Sequence, residues 1–348
     1  MILEGQTTSP GPATWGRPGR RSRPSPASRA GLRESDPNCI DIGLINNMPD
    51  AALDATEHQF RALLDSAADG LAVGLTLYTL PEVRRTEFGR RQVSRYAGLD
   101  DLWDRHHDGL IVTGTEPRAA DLMDEPFWGS LTQVLDWADL HTHSTVLSCL
   151  AAHAGILYFD GIVRRPLGDK RFGVFDCERV TDHALTAAAP SPLRMPHSRW
   201  NEIPEAALLA CGYRVLTRSE DASVDAFVKQ RKSLFVFLQG HPEYEAVTLL
   251  LEFRRDVGRF LRGERDTYPT MPHGYFDQET AEALIALRER ARVDRREELL
   301  ADFPTAMAAG KVTNTWRPTA ESLYRNWLLH IRTQKEHAKH LATGAVQG

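Results

Sequence analysis

From Cys39 onward, short apolar runs alternate along the chain with longer amphipathic stretches. The runs CIDIGLIN, GLAVGLTLYTL, DGLIVTG, STVLS and SLFVFLQG are rich in β-branched and aliphatic residues and predict buried strands. Between and after them, ATEHQFRALLDSA, FWGSLTQVLDWADLH, AAHAGILYF and the stretch from Glu245 to Leu261 repeat their apolar positions at the period of a helix. This alternation predicts an α/β fold: a doubly wound, mostly parallel sheet with helices on both faces. Farther on, Gln278 to Leu300 predicts a highly charged helix. A second helix is expected over Trp316 to Thr333, where Leu323, Trp327 and Ile331 are spaced to face the core.

The apolar period is missing at the start of the chain. Residues 1–38 hold six prolines and six arginines against three acids, which predicts a disordered tail. No apolar segment follows Arg20-Arg21, which argues against a twin-arginine export signal. The expected organisation is a tail at 1–38, an α/β domain at 39–277, an inserted helical segment at 278–315, a C-terminal helix at 316–335 packing on the domain, and a disordered tail at 336–348.

With 348 residues, 42% of them hydrophobic and 26% charged, the chain has the size and composition to bury the core of an ordinary globular enzyme. Its 42 basic and 47 acidic residues give a net charge of −5, without the basic excess of a protein that neutralises many phosphates, so no nucleic-acid partner is expected. The most apolar helical stretch, TLLLEFRRDVGRFL, is interrupted by charges, and no membrane partner is expected. Cys39, Cys149, Cys177 and Cys211 form no C-x-x-C pair, which suits the reducing cytoplasm. The expected partners are small-molecule substrates, and a homodimer is left open.

Cys149 stands between the strand-like STVLS and the small-residue run AAHAG. A strand turning sharply into a helix at one residue exposes that side chain above the sheet, beside helix N-terminal amides that favour a thiolate. Position alone leaves a buried free thiol equally open. His241 ends the run SLFVFLQG, where Gly240 frees the backbone and Pro242 stops the strand, at the carboxyl edge where parallel sheets place their chemistry. A turn at Pro242 can bring Glu243 back onto the imidazole, making a Cys–His–Glu set. The backbone amides of Leu150 and Thr115 are candidates for an oxyanion hole. No metal site is expected: His106-His107 and His141-x-His143 lack ligand spacing and read as exposed helix-end histidines.

At these residues the sequence resembles the homoserine O-acyltransferases of the succinyltransferase type. The resemblance is carried by INNMP at 45–49, EHQFRALL at 57–64, DGLIVTG at 108–114, the helix at 127–138 and the cysteine turn. It continues in MPHSRWNEIP at 195–204, QGHPEYEAVTLLLEFRRDV at 239–257 and WRPTAESLYRNWL at 316–328. It implies a class I glutamine amidotransferase-like fold and a cytoplasmic enzyme of methionine biosynthesis that transfers an acyl group from acyl-CoA to homoserine, with no permanently bound cofactor. By the same resemblance Cys149 is the acyl-accepting nucleophile, His241 the base and Glu243 its partner, while Ser198 and Arg255 hold the amino-acid substrate.

The chain departs from the family at several points. It reads Asp50-Ala51 where lysines are usual, and Gly114-Thr115-Glu116-Pro117-Arg118 where Gly-Ala-Pro is usual. Leu150 replaces the tryptophan that commonly follows the cysteine, and Gln278 to Lys311 look added. Arg118, in the loop near the acyl group, would favour a donor ending in a carboxylate, so succinyl-CoA is expected over acetyl-CoA. The alternative is that it faces solvent or pairs with Glu116 or Asp121. A divergent acyltransferase for serine or a related hydroxy-amino acid stays open. A glutamine amidotransferase-like hydrolase would share the fold and the Cys–His–Glu set, but its elbow normally reads C-x-G-x-Q, and Ala151 and His153 stand at those positions. A non-catalytic binding protein is disfavoured because all three catalytic identities occur together.

Overall fold

The computed structural model describes residues 38–345, so the tail expected at 1–38 lies outside the described residues except for Asn38. The first half alternates β1 (Cys39–Ile45), α1 (Leu53–Ala67), β2 (Ala72–Tyr78), the short helices α2 (Glu87–Val93) and α3 (Leu99–Trp103), β3 (Gly109–Val112), α4 (Trp128–His141), β4 (Ser144–Ser148) and α5 (Leu150–Asp160). There follow β5 (Arg165–Arg179), β6 (Leu193–Glu202), α6 (Glu205–Ala210), β7 (Arg214–Ser219), β8 (Ser223–Gln230) and β9 (Leu234–Leu238). Four helices complete the described chain: α7 (Thr248–Leu261), α8 (Gln278–Val293), α9 (Thr305–Lys311) and α10 (Arg317–Ala345).

The strands form one sheet in the order β2-β1-β3-β4-β9-β8-β7-β5-β6. The five expected strands, β2 through β9 in that order, pair in parallel. The remaining pairings are antiparallel, so the α/β sheet is mixed rather than mostly parallel. Connection length explains this: only Glu220, Asp221 and Ala222 join β7 to β8, whereas a parallel crossover needs about a dozen residues.

Side chains on the parallel strands alternate between two cores. On one face Leu110, Val112, Leu147 and Phe237 pack under α4 and α5, with Val134, Leu135 and Ala154. On the other, Ile40, Ile42, Ile111 and Val146 pack under α1 and α10, with Phe60, Leu63, Leu328 and Ile331. The segment expected as an insertion folds as α8, a 3-10 turn and α9, and it builds a third core with α7 through Phe253, Leu284, Leu287 and Phe303. Helix α10 runs to Ala345, into the segment 336–348 read from sequence as a tail. Among the described residues no helix is long and apolar enough to cross a membrane.

Helix α10 is anchored by charge as well as by apolar contact. Lys335 Nζ donates to the carbonyl of Cys39 and to Asp108 Oδ2, both at 2.8 Å, in a nearly buried setting. Burial pushes the Asp108 carboxyl up, but contacts from His106, Lys335 and the Asp41 amide prevail and bring it down to about 2. Asp108→Asn would leave the lysine charge buried and uncompensated, at an expected cost of about 3–5 kcal/mol in urea unfolding at neutral pH. The wild-type advantage should be complete above the ordinary aspartate value of 3.8 and disappear as pH falls through about 2. A variant within ~1 kcal/mol of wild type at neutral pH would show that the pair contributes little net stability.

Candidate active site

Strand β4 ends at Ser148, and the next residue turns the chain into α5. Cys149 sits at φ 51° and ψ −110°, a positive-φ backbone that costs a non-glycine residue about 1–3 kcal/mol and has the strand-to-helix shape of an elbow. Two sets of backbone bonds hold the turn. The Cys149 amide donates to Leu238 O at 2.7 Å, and the Cys149 carbonyl accepts from Ala152 at 3.0 Å and His153 at 3.3 Å.

The end of β9 delivers the second group. Gln239 is pinned by its side-chain amide to Val224 O at 2.6 Å, and the His241 amide donates to Pro196 O at 2.8 Å. Gly240 is required for space rather than for its backbone angles: a Cβ there would run into the Met195 side chain and approach Asp225 Oδ1 to 2.9 Å. The turn at Pro242 brings Glu243 Oε1 to 2.9 Å from His241 Nδ1, both side chains buried. Burial disfavours the charged imidazole. Glu243 and, after it, Cys149 outweigh that effect and raise His241 well above its ordinary value. Sulfur, imidazole and carboxylate thus meet in one relay at the carboxyl edge of the sheet.

Gly114, after β3, comes so close to the elbow that a Cβ on it would lie 3.0 Å from the Leu150 nitrogen and 2.8 Å from Leu150 Cβ. This approach sets the Thr115 loop beside the first amide of α5, the arrangement an oxyanion site needs. Two cations also feel the sulfur electrostatically. Arg199 is buried and donates to the carbonyls of Asn201, at 2.7 Å, and Ala222. Its burial lowers it to about 10 against the opposing influence of Cys149. Arg164, on the loop after α5, is likewise lowered by burial and opposed by Cys149.

Beside the relay lies a charged cluster. Tyr244 stacks on His241 at 4.3 Å between ring centroids, and its hydroxyl donates to Glu252 Oε1 at 2.6 Å. Glu252 Oε2 accepts from Ser198 Oγ at 2.6 Å and from Lys170 Nζ at 3.3 Å, and it lies 3.9 Å from Arg255 Nη2. Burial pushes the Glu252 carboxyl up, yet Lys170, Ser198, Tyr244 and Arg255 hold it below the ordinary glutamate value. Ser198 and Arg255, expected to hold substrate, therefore come together, although Arg255 already pairs with Asp256 Oδ1 at 3.0 Å. Lys170 and Glu252 were not legible as site residues: they lie on β5 and α7 and converge only through packing.

Arg118 is exposed, and its backbone amide, with that of Ala119, is held by the Glu125 carboxylate. Among the described residues no carboxylate lies within ion-pair distance of its guanidinium; Glu116 instead lies 3.9 Å from Arg259. His106 and His141 are exposed, and His141 ends α4, whereas His107 and His143 depart from their sequence reading. His107 is fully buried, with Nε2 2.8 Å from the Tyr78 hydroxyl. His106 and His143 converge on Asp108, their donor atoms all within 4.8 Å of one another, as also occurs at Cys177, His197 and Asp225. The first group is bound up with Lys335. In the second, Asp225 accepts from Thr217 Oγ1 at 2.7 Å, and His197 Nδ1 accepts from Arg199 Nε at 3.3 Å.

The comparisons with known proteins point one way. A family model described as homoserine O-succinyltransferase matches residues 26–338. The chain is 46% identical over 303 residues to a homoserine O-succinyltransferase of Rhodopseudomonas palustris, covering 87% of this chain and 91% of that protein. It is 48% identical over 290 residues to one from Methylorubrum extorquens, covering 83% and 86%. Among solved structures it is similar to a glutamine amidotransferase from Thermotoga maritima, at 13% identity and a TM-score of 0.46, covering 84% of this chain and 98% of that one. Matched over most of its length by the family model and nearly half identical to full-length relatives, the chain belongs to the homoserine O-succinyltransferase family of acyltransferases.

Proposed function

We propose that this protein transfers a succinyl group from succinyl-CoA to the hydroxyl of L-homoserine through a thioester on Cys149, a step of methionine biosynthesis in the cytoplasm. The observation that carries this reading is the adjacency of the Cys149–His241–Glu243 relay to the Glu252 cluster through the stacked Tyr244. The relay lies next to a charged cluster in which Glu252 suits an ammonium group and Lys170, Ser198 and Arg255 suit a carboxylate.

The raised imidazole takes the proton of the Cys149 thiol, and the sulfur attacks the thioester carbonyl. The amides of Leu150 and Thr115 face the oxygen as it gains charge, a contribution of about 3–4 kcal/mol per donor in such sites. The bond to the coenzyme A sulfur breaks, and that thiolate leaves with the proton from His241. The homoserine hydroxyl then gives its proton to His241 as its oxygen attacks the acyl-enzyme, and the bond to Cys149 breaks to release the ester. Arg118, free of carboxylate partners among the described residues, pairs the far carboxylate of the succinyl chain.

The test is purified protein offered homoserine or serine with succinyl- or acetyl-CoA, reading free thiol release. We expect homoserine with succinyl-CoA to be turned over best. In Arg118→Ala the preference for succinyl over acetyl should fall by roughly ten- to a hundredfold. A wild-type preference for acetyl, or a succinyl preference that survives in the variant, would overturn the role of Arg118. Thiol release with serine alone would overturn homoserine as the acceptor.

A further inference from the structure

Thr115, beside the Leu150 amide, also lines a surface cleft of about 700 Å³ whose other wall is the loop between β2 and α2. Acidic and basic side chains face this cleft, but they are not equally engaged. Asp50 accepts from the Thr86 amide and hydroxyl, each at 2.7 Å, and pairs with Arg85 at 3.3 Å. Glu125 is held by the two amides of the Arg118 loop, and Glu82 accepts from Ser130 at 2.7 Å. Arg85 is consumed internally, donating to Asn46 O at 3.3 Å, Thr79 Oγ1 at 2.9 Å and Met48 O. Arg84 and Arg118 differ from all of these: both are exposed on the cleft, and among the described residues neither guanidinium has an ion-pair partner. The acids of the cleft all have partners within the fold, Glu116 lying 3.9 Å from Arg259, while two forked cations remain for something outside it.

We propose that Arg84 is the phosphate anchor of the acyl donor, its guanidinium pairing a phosphate at the nucleotide end of coenzyme A while the acyl end enters at Thr115. This rests on the reading above that the donor is a coenzyme A thioester. The chemistry fits the residue. A guanidinium matches phosphate oxygens with two parallel N–H donors, and a protein of net charge −5 gains most from a local cation where it must receive a polyanion. Arg84 and Arg118 divide the work: one reads the phosphate and the other the acyl carboxylate.

The experiment compares succinyl-CoA with S-succinyl-N-acetylcysteamine, a thioester that lacks the nucleotide, in wild type, Arg84→Gln and Arg84→Lys. In Arg84→Gln the KM for succinyl-CoA should rise, and the preference for it over the truncated thioester should fall, by roughly ten- to a hundredfold, with partial recovery in Arg84→Lys. A loss confined to succinyl-CoA and absent with succinyl-dephospho-CoA assigns the contact to the 3′-phosphate; a loss with both assigns it to the diphosphate. Equal loss on the nucleotide-bearing and truncated thioesters, or no loss, overturns the proposal. Calorimetric binding of adenosine 3′,5′-bisphosphate and of ADP separates this from the function itself. If no thioester is turned over, the proposed activity fails, yet Arg84 stands if its removal weakens nucleotide binding and falls if wild type binds neither nucleotide.

Discussion

Cys149→Ala should yield a folded protein that acquires no acyl group. Incubated with succinyl-CoA without acceptor, wild type should gain one succinyl adduct by intact-mass analysis, and the variant none. Turnover should fall on the order of 10⁴- to 10⁶-fold, as in other enzymes that lose the nucleophile of a relay. The fold should persist because alanine inherits the same positive-φ backbone that cysteine already tolerates at φ 51°. Turnover within about tenfold of wild type would mean that the acyl group never rests on this sulfur.

His241 and Glu243 should behave as one unit. With 2.9 Å between Nδ1 and the carboxylate, Glu243 fixes which nitrogen faces Cys149 and supports the charge that His241 acquires. His241→Asn is expected to cost on the order of 10⁴-fold in kcat/KM, and Glu243→Gln about 10²- to 10⁴-fold. The double variant should lie within about threefold of His241→Asn alone, because the carboxylate has nothing left to orient. Glu243 is the foremost influence raising the imidazole against its burial, so His241 should titrate at lower pH in Glu243→Gln by histidine NMR. Losses that multiply would show that Glu243 acts elsewhere.

The parts of this site that were legible in the sequence are those where local pattern and chemistry coincide. The elbow at Cys149 and the strand end at His241 each follow a short apolar run, so their place at the carboxyl edge could be inferred from the alternation of runs alone. Strands β5 to β8 gave no such signal. Strand β5 is apolar and buried only near its centre and charged over much of its remaining length, because it lies toward the far edge of the sheet. Lys170 was lost with it, since in RPLGDKR it reads as one more solvated cation, and its partner Glu252 lies 82 residues away. Arg199 shows the opposite difficulty. It stands within MPHSRWNEIP, but nothing in the sequence indicates that its guanidinium is buried and feels Cys149. His107 departs from expectation because a histidine beside a charged stretch looks exposed, whereas Tyr78, at the end of β2, supplies a buried hydroxyl partner.

The lysine that joins helix α10 to β1 spans 296 residues of sequence. Contacts of such long range make the order of synthesis matter. Strand β1 lies inside the sheet between β2 and β3, yet one face of it is covered by α10, a helix made long after it. While the chain is being made, Ile40 and Ile42 can pair and pack against α1, but the apolar surface destined for Leu328 and Ile331 stays uncovered. Until α10 is made, the nascent protein therefore carries an exposed hydrophobic face, a feature that invites chaperone binding and makes the arrival of that helix the event that covers β1.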